Sequence, residues 1–99
     1  MKVLLFTLLL CTAGMSISYQ DIAPIISKHC VGCHKGPFLD LQSFPFYSDA
    51  IEDQRLLVAE MIRRAKMRDL KRMPPVSFPA LSPEEIELLQ RWYLEGMDP

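Results

Sequence analysis

Two cysteines and the two histidines of the chain lie within six residues of one another, in the segment KHCVGCHKGP at positions 28–37. The chain has 99 residues, which is enough for one small domain. A domain of this size buries a modest core and often needs a metal, a disulfide or a cofactor to stabilise it. The cluster is therefore the feature that most restricts what the chain can fold into.

Four chemistries use cysteines at this spacing, and the surrounding sequence separates them. A thioredoxin-like redox dithiol normally lies in a βαβ context, which is missing here. A structural zinc ion takes four ligands, usually from two separated pairs, and no second pair is present. A disulfide between Cys30 and Cys33 explains neither His34 nor the small core. Cys-x-x-Cys-His is the attachment signature of c-type haem, and the sequence favours this chemistry.

The first 18 residues have the pattern of a secretory signal peptide. A positive start precedes the apolar run VLLFTLLLCTAG, and small residues alternate before Tyr19. The apolar run is shorter than the roughly 20 residues that span a bilayer, and the bulky Leu10 disfavours lipid attachment at Cys11. We therefore predict a cleaved signal over 1–18 and an exported, periplasmic domain over 19–99, with no membrane span after cleavage.

The remainder predicts helices joined by long ordered loops, because no stretch alternates with the period of a strand. A first short helix is predicted in YQDIAPIISKH, capped by Asp21. A second begins near Asp49, which with Glu52 resembles a capping box. The third begins at Ser82, where Glu85 completes a capping box. The expected fold is all-α, with three to five short helices.

A haem iron bound by one imidazole needs a ligand on its other face. A thioether opposite an imidazole raises the reduction potential and leaves the iron no open coordination position, which suits electron transfer. Met61 lies on the apolar face of the second helix, where core packing is expected. Met73 precedes Pro74-Pro75 in an extended segment, so Met73 is the predicted distal ligand, with Met67 as the second choice. His29, beside Cys30, is expected at the surface or at the helix end.

Four segments together resemble the small single-haem cytochromes c: CVGCH, GPFLDL, RMPP and LSPEEIELLQRWYLEGMDP. They are most similar to the bacterial group with a Met-Pro-Pro distal motif and a terminal helix that carries tryptophan. The resemblance covers residues 21–98. It implies a cytochrome c-like fold, in which the N-terminal and C-terminal helices cross beside one covalently bound haem.

The resemblance also implies roles for single residues. Cys30 and Cys33 would carry the thioether bonds, His34 would be the proximal iron ligand and Met73 the distal one. The carbonyl of Pro37 would accept the ring N–H of His34, a bond that fixes the orientation of an iron-bound imidazole.

The run RRAKMRDLKR, at positions 63–72, places six basic residues before Met73. A solvated helix face with cations at the helix C-terminus is one interpretation. Neutralisation of haem propionates is another, with Arg64, Arg68 and Arg72 as candidates and Arg72 the one selected. A docking patch for an acidic redox partner is the third.

The expected function is one-electron transfer between redox partner proteins, without enzymatic activity, because two axial ligands leave the iron no open position. The alternatives are a haem sensor or peroxidase-like domain with a labile distal ligand, and an electron-entry subunit of a larger redox complex. The net charge of −1 at pH 7 disfavours a nucleic-acid partner, since such domains are usually basic.

Overall fold

The computed structural model describes residues 16–99, which form three helices and one short antiparallel sheet. The elements follow one another in the order α1 (Tyr19–His29), β1 (Leu39–Asp40), β2 (Tyr47–Ser48), α2 (Gln54–Ala65) and α3 (Pro83–Leu94). The prediction of a small, mostly helical fold is confirmed. Most of the predicted signal peptide lies outside the described residues. None of the described helices is both long and apolar enough to cross a bilayer.

The expectation that no strand would form is wrong in the loop after the cysteine segment. Leu39 pairs with Ser48 and Asp40 with Tyr47, in an antiparallel ladder. Each strand has only two residues, and a hydrophobic alternation cannot be recognised over that length. The ladder closes the loop that leads from the cysteine segment to α2.

Helix α1 has nearly the predicted bounds, but Asp21 is not its N-cap. Ser18 is the N-cap, with an extended backbone, and its N–H donates to Oδ2 of Asp21 at 2.9 Å. Asp21 is therefore the third helical residue, and its carboxylate also suits the positive end of the helix dipole.

Ile17 and Ser18 join the start of the described chain to its end. Ile17 is 5% exposed, and its N–H donates to Oε1 of Glu95 at 3.1 Å. Ser18 forms a parallel bridge with Asp98, and the Tyr19 N–H donates to the Asp98 carbonyl at 2.8 Å. The last two residues of the predicted signal thus pack as part of this fold.

Helix α2 begins at Gln54, so the predicted capping box of Asp49 and Glu52 is wrong. Asp53 is the N-cap, and its Oδ1 accepts a hydrogen bond from the Leu56 N–H at 3.0 Å. The cap thus comes from a different acidic residue than predicted. The sequence pattern alone does not distinguish between nearby acidic residues that could each cap the helix.

The predicted start of α3 is confirmed. Oγ of Ser82 accepts from the Glu85 N–H at 3.1 Å, and Oε1 of Glu85 accepts from the Ser82 N–H at 2.8 Å. Pro83 occupies the first turn, where its missing N–H costs nothing. The helix ends at Leu94, and Gly96 follows with a positive φ of 111°, a conformation that glycine adopts without strain.

Helix α3 contacts both other helices and carries the centre of the core. Trp92 is fully buried, and its Nε1 donates to the Asp98 carbonyl at 2.9 Å. The rings of Tyr19 and Phe44 pack against the indole, and the ring of Phe46 packs against both of them. The other large, fully buried side chains are Ile22, Ile26 and Val58.

Candidate cofactor-binding cavity

The cysteine–histidine segment forms a compact turn at the end of α1. The N–H groups of Cys33 and His34 both donate to the carbonyl of Cys30, at 3.3 and 3.0 Å. The Leu41 N–H donates to the carbonyl of His34 at 2.8 Å, which fixes the exit of the turn. These bonds hold two thiols and one imidazole close together at the end of a packed helix.

This turn borders a largely apolar cavity of about 540 Å³. Its volume lies within the range of about 300–1,000 Å³ that is typical of cofactor and ligand sites. The cavity is lined by Cys30, Cys33, His34 and Met73, the four residues predicted to bind haem and its iron. Most of the remaining lining residues are apolar and come from the helices, β1 and the loops, among them Ile26, Phe38, Leu39, Leu41, Ile51, Leu57, Met61, Ala65, Phe78, Leu81 and Leu89. The polar ones are Lys28, His29, Ser48, Asp49, Glu60 and Arg64.

Met73 lies in the loop between α2 and α3, and its N–H donates to the carbonyl of Arg64 at 3.1 Å. Met61 also lines the cavity. Met97 is buried in the core, and Met67 borders a separate hollow, so neither lines this cavity in the described chain. Of these four methionines, the fold therefore brings only Met73 and Met61 to the predicted haem residues.

Of the two places predicted for His29, the surface and the helix end, the structure shows the second: His29 is the last residue of α1. Its side chain is 6% exposed, and Nε2 lies 3.0 Å from Oε1 of Glu85. His29 also lines the cavity. Its partner is far away in sequence, so no local pattern indicated the pairing.

The Glu85 carboxylate collects three favourable neighbours. Besides His29 and the Ser82 N–H, the Lys28 ammonium lies 3.9 Å from Oε2. Burial alone would raise the pKa of Glu85, but the hydrogen bond from Ser82 and the charges of His29 and Lys28 outweigh it and lower the pKa below 4.5. The carboxylate is therefore ionised at neutral pH.

Arg72, the residue predicted to meet a haem propionate, donates to the main chain of the next loop. Nε donates to the carbonyl of Pro74, and Nη2 donates to those of Pro75 and Phe78. Among the three candidate arginines, Arg64 is the one that lines the cavity. The propionate role of Arg72 stays a prediction.

Arg64 is paired with Glu60 beside the cavity. Its Nε lies 2.6 Å from Oε2 of Glu60, and the guanidinium of Arg63 binds the same carboxylate. Hydrogen bonds from both arginines lower the pKa of Glu60 to about 2. The run of basic residues is thus partly neutralised within α2 itself.

Pro37 is exposed and does not line the cavity in the described chain. Within residues 16–99 no hydrogen bond joins its carbonyl to the ring of His34. The adjacent turn is closed instead by the Gly36 N–H, which donates to the carbonyl of Leu39 at 2.9 Å. The bond between Pro37 and His34 stays a prediction.

The two thiols differ in environment. Cys33 is exposed, whereas Cys30 is half-buried, and burial raises the pKa of the Cys30 thiol to about 11. A redox dithiol needs a thiol whose pKa is lowered, because the thiolate is the nucleophile. The environment of Cys30 therefore does not suit disulfide exchange.

Comparisons of the chain with protein-family models, curated proteins and solved structures find no match. What the cavity can bind is therefore inferred from its lining. Two thiols, two imidazoles and two thioethers line a largely apolar space of cofactor size, and the imidazole of His29 is paired with Glu85. Imidazole and thioether are the axial ligands of electron-transfer haem proteins, and paired thiols before a histidine are the means of covalent attachment.

Proposed function

We propose that the chain is a small c-type cytochrome that carries one covalently attached haem and transfers single electrons between redox partner proteins outside the cytoplasm. One observation carries the proposal. Met73 shares a largely apolar cavity with Cys30, Cys33 and His34, although two short strands, a helix and their connecting loops separate it from them in sequence. The residues chosen from sequence for four linked roles in haem binding are thus brought to one place.

The lining fits a haem in size, polarity and donor groups. Its volume of about 540 Å³ and its apolar walls suit a large, flat, mostly apolar ring. Cys30 and Cys33 supply thiols for two thioether bonds at one edge of the cavity. His34 and Met73 supply the nitrogen and sulfur that an iron in a cytochrome c takes as axial ligands.

When bound, the haem supplies an iron that cycles between the iron(II) and iron(III) states. The residues of the chain hold and tune that centre. His34 and Met73 would hold the iron from its two sides, which would leave no position for a substrate. The largely apolar walls would limit the access of water, and the neutral thioether of Met73 would favour the reduced state. These roles are those of an electron carrier.

The arrangement of helices supports a cytochrome c-like fold for the same proposal. Helix α1, which leads into the cysteine segment, contacts the C-terminal helix α3. The hydrogen bond between His29 and Glu85 joins the two helices beside the cavity. Such a contact between terminal helices is what the resemblance to cytochromes c implied.

The proposal is tested by producing the full chain in a bacterium that exports it and attaches haem in the periplasm. We expect haem to stay with the chain on denaturing electrophoresis, and the intact mass to include one haem. Absorption spectra of both oxidation states should show two axial ligands. Cys33→Ala should lose one thioether bond, whereas Ser43→Ala, an exposed change in the turn between β1 and β2, should lose none. A haem-free chain with two free thiols, or one that holds zinc, would end the proposal.

A second candidate uses the same cavity: a haem sensor or peroxidase-like protein whose distal ligand leaves the iron. It is favoured by the position of Met73 in a loop without helix or strand, where residues 75–80 are exposed. Carbon monoxide separates the two functions, because it binds reduced iron only where an axial position is free. Ready binding to the unaltered protein would favour the sensor or peroxidase.

A further inference from the structure

The guanidinium of Arg72 spans the loop that follows it. Nε donates to the carbonyl of Pro74 at 2.9 Å, and Nη2 donates to the carbonyls of Pro75 at 2.9 Å and Phe78 at 2.5 Å. The Phe78 N–H donates to the Pro75 carbonyl at 2.8 Å and closes a turn inside the same loop. One side chain thus binds three main-chain acceptors within five residues of the chain, directly after Met73.

Residues 74–79 of this loop can form few main-chain hydrogen bonds among themselves. Pro74, Pro75 and Pro79 lack an N–H, so they cannot donate the main-chain hydrogen bonds that would order the segment. On the other side of Met73 the chain is fixed, because the Met73 N–H donates to the carbonyl of Arg64 in the last turn of α2. Arg72 therefore donates three of the four hydrogen bonds described within residues 74–78, on the proline side of Met73.

The planar guanidinium suits this task better than an ammonium group would. Its donors have a fixed fork geometry and can bind several carbonyls at once, whereas lysine offers one mobile point charge. Hydrogen bonds from a charged donor are also stronger than those between neutral groups.

We propose that Arg72 is a positioning residue for the distal thioether: it keeps the loop closed so that Met73 remains on the iron. The inference rests on the proposed haem function and deepens it. It also gives Arg72 a role different from the predicted contact with a propionate. Loss of its hydrogen bonds frees the loop on the C-terminal side of Met73, while Cys30, Cys33 and His34 keep their own contacts.

The test compares Arg72→Lys and Arg72→Gln with the unaltered protein and with Arg68→Lys. Arg68 is an exposed residue of the same basic run and does not line the cavity in the described chain, so it is a matched control. We expect both Arg72 variants to retain covalent haem. Their reduced forms should bind carbon monoxide more tightly by about tenfold for each hydrogen bond lost, since a bond to a charged donor contributes that much to an equilibrium. The iron of Arg68→Lys should stay closed to carbon monoxide.

A second readout does not depend on ligand binding. Amide hydrogen exchange at Val76, Ser77 and Phe78, followed by mass spectrometry, should be faster in both Arg72 variants, because the loop opens more often. Arg72 variants that keep haem, remain closed to carbon monoxide and exchange these amides no faster than the unaltered protein would overturn the inference. Failure of the proposed electron-carrier function looks different: the unaltered protein itself would carry no haem, or would bind carbon monoxide without any substitution.

Discussion

Nε2 of His29 lies 3.0 Å from Oε1 of Glu85, and this contact joins the last residue of α1 to the first turn of α3. The same oxygen accepts the Ser82 N–H that completes the capping box. One carboxylate therefore stabilises the start of α3 and holds the residue that precedes Cys30. The placement of the cysteine turn depends in this way on a helix at the other end of the chain.

The lowered pKa of Glu85 predicts a stability that depends on pH. Because the folded-state pKa lies below the ordinary value of 4.5, the contribution of Glu85 is complete above that value and is lost as the pH falls through the lowered pKa. Unfolding by denaturant at several pH values should show that acid destabilises the unaltered protein more than Glu85→Gln.

Glu84→Gln is the control for that series, since Glu84 is exposed in the same helical turn. It should follow the unaltered protein at every pH. The pKa of Glu60 is also lowered, but Glu60 is present in all three proteins. Its contribution to the pH dependence of stability is therefore the same in each. Parallel pH curves for the unaltered protein and Glu85→Gln would contradict the prediction.

The distal ligand can be identified by substituting the methionines one at a time. Met73→Ala should retain covalent haem but let carbon monoxide or cyanide bind, because it removes the second axial ligand. Met61→Leu is the sharpest control, since Met61 lines the same cavity. The iron of this variant should remain closed to added ligand. Its free energy of unfolding should fall by less than about 1.5 kcal/mol, as for other volume-conserving exchanges. Spectra with and without added ligand provide the measurement.

Met67→Leu should likewise remain closed, because Met67 borders another hollow. An open iron in Met61→Leu or Met67→Leu, together with a closed one in Met73→Ala, would show that the ligand is misassigned.

Met73→His should keep the haem and lower the reduction potential, because a second imidazole favours iron(II) less than a thioether does.

Trp92 should dominate the stability of the core. Trp92→Ala should lower the free energy of unfolding by about 3–5 kcal/mol, because it leaves a cavity where a fully buried ring packs. Trp92→Phe should cost less, although the hydrogen bond to the Asp98 carbonyl is lost as well. Leu94→Ala, at a position 76% exposed on the same helix, should stay within about 0.5 kcal/mol of the unaltered protein. Denaturant unfolding measures all three.

The packing of Ile17 and Ser18 predicts that the position of signal cleavage affects stability. A chain that begins at Tyr19 loses the buried Ile17 side chain and the N-cap of α1. It should be less stable than a chain that begins at Ile17 by about 2–4 kcal/mol. Denaturant unfolding of the two purified forms tests this, and the N-terminus of the exported protein shows which form occurs. Equal stabilities would mean that the end-to-end contact contributes nothing.

Features that depend on neighbouring residues could be predicted from the sequence. The capping box of Ser82 and Glu85 spans four positions, and its bonds form as soon as the first turn of α3 does. The turn that holds Cys30, Cys33 and His34 is equally local. The start of α2 could not be predicted in this way, because several nearby acidic residues could each cap the helix: Asp53 is the N-cap and Asp49 is not.

The sequence by itself determined the chemistry that the chain can present: two thiols and an imidazole in one turn, and several methionines that could complete an iron site. Only the tertiary structure decided which of these groups share a cavity, because that depends on how α1, α2 and α3 pack. It placed Met73 and Met61 there and Met67 elsewhere, buried His29 against Glu85, and directed Arg72 to the proline loop. Contacts across tens of residues arise from the burial of apolar faces, which local sequence patterns do not encode.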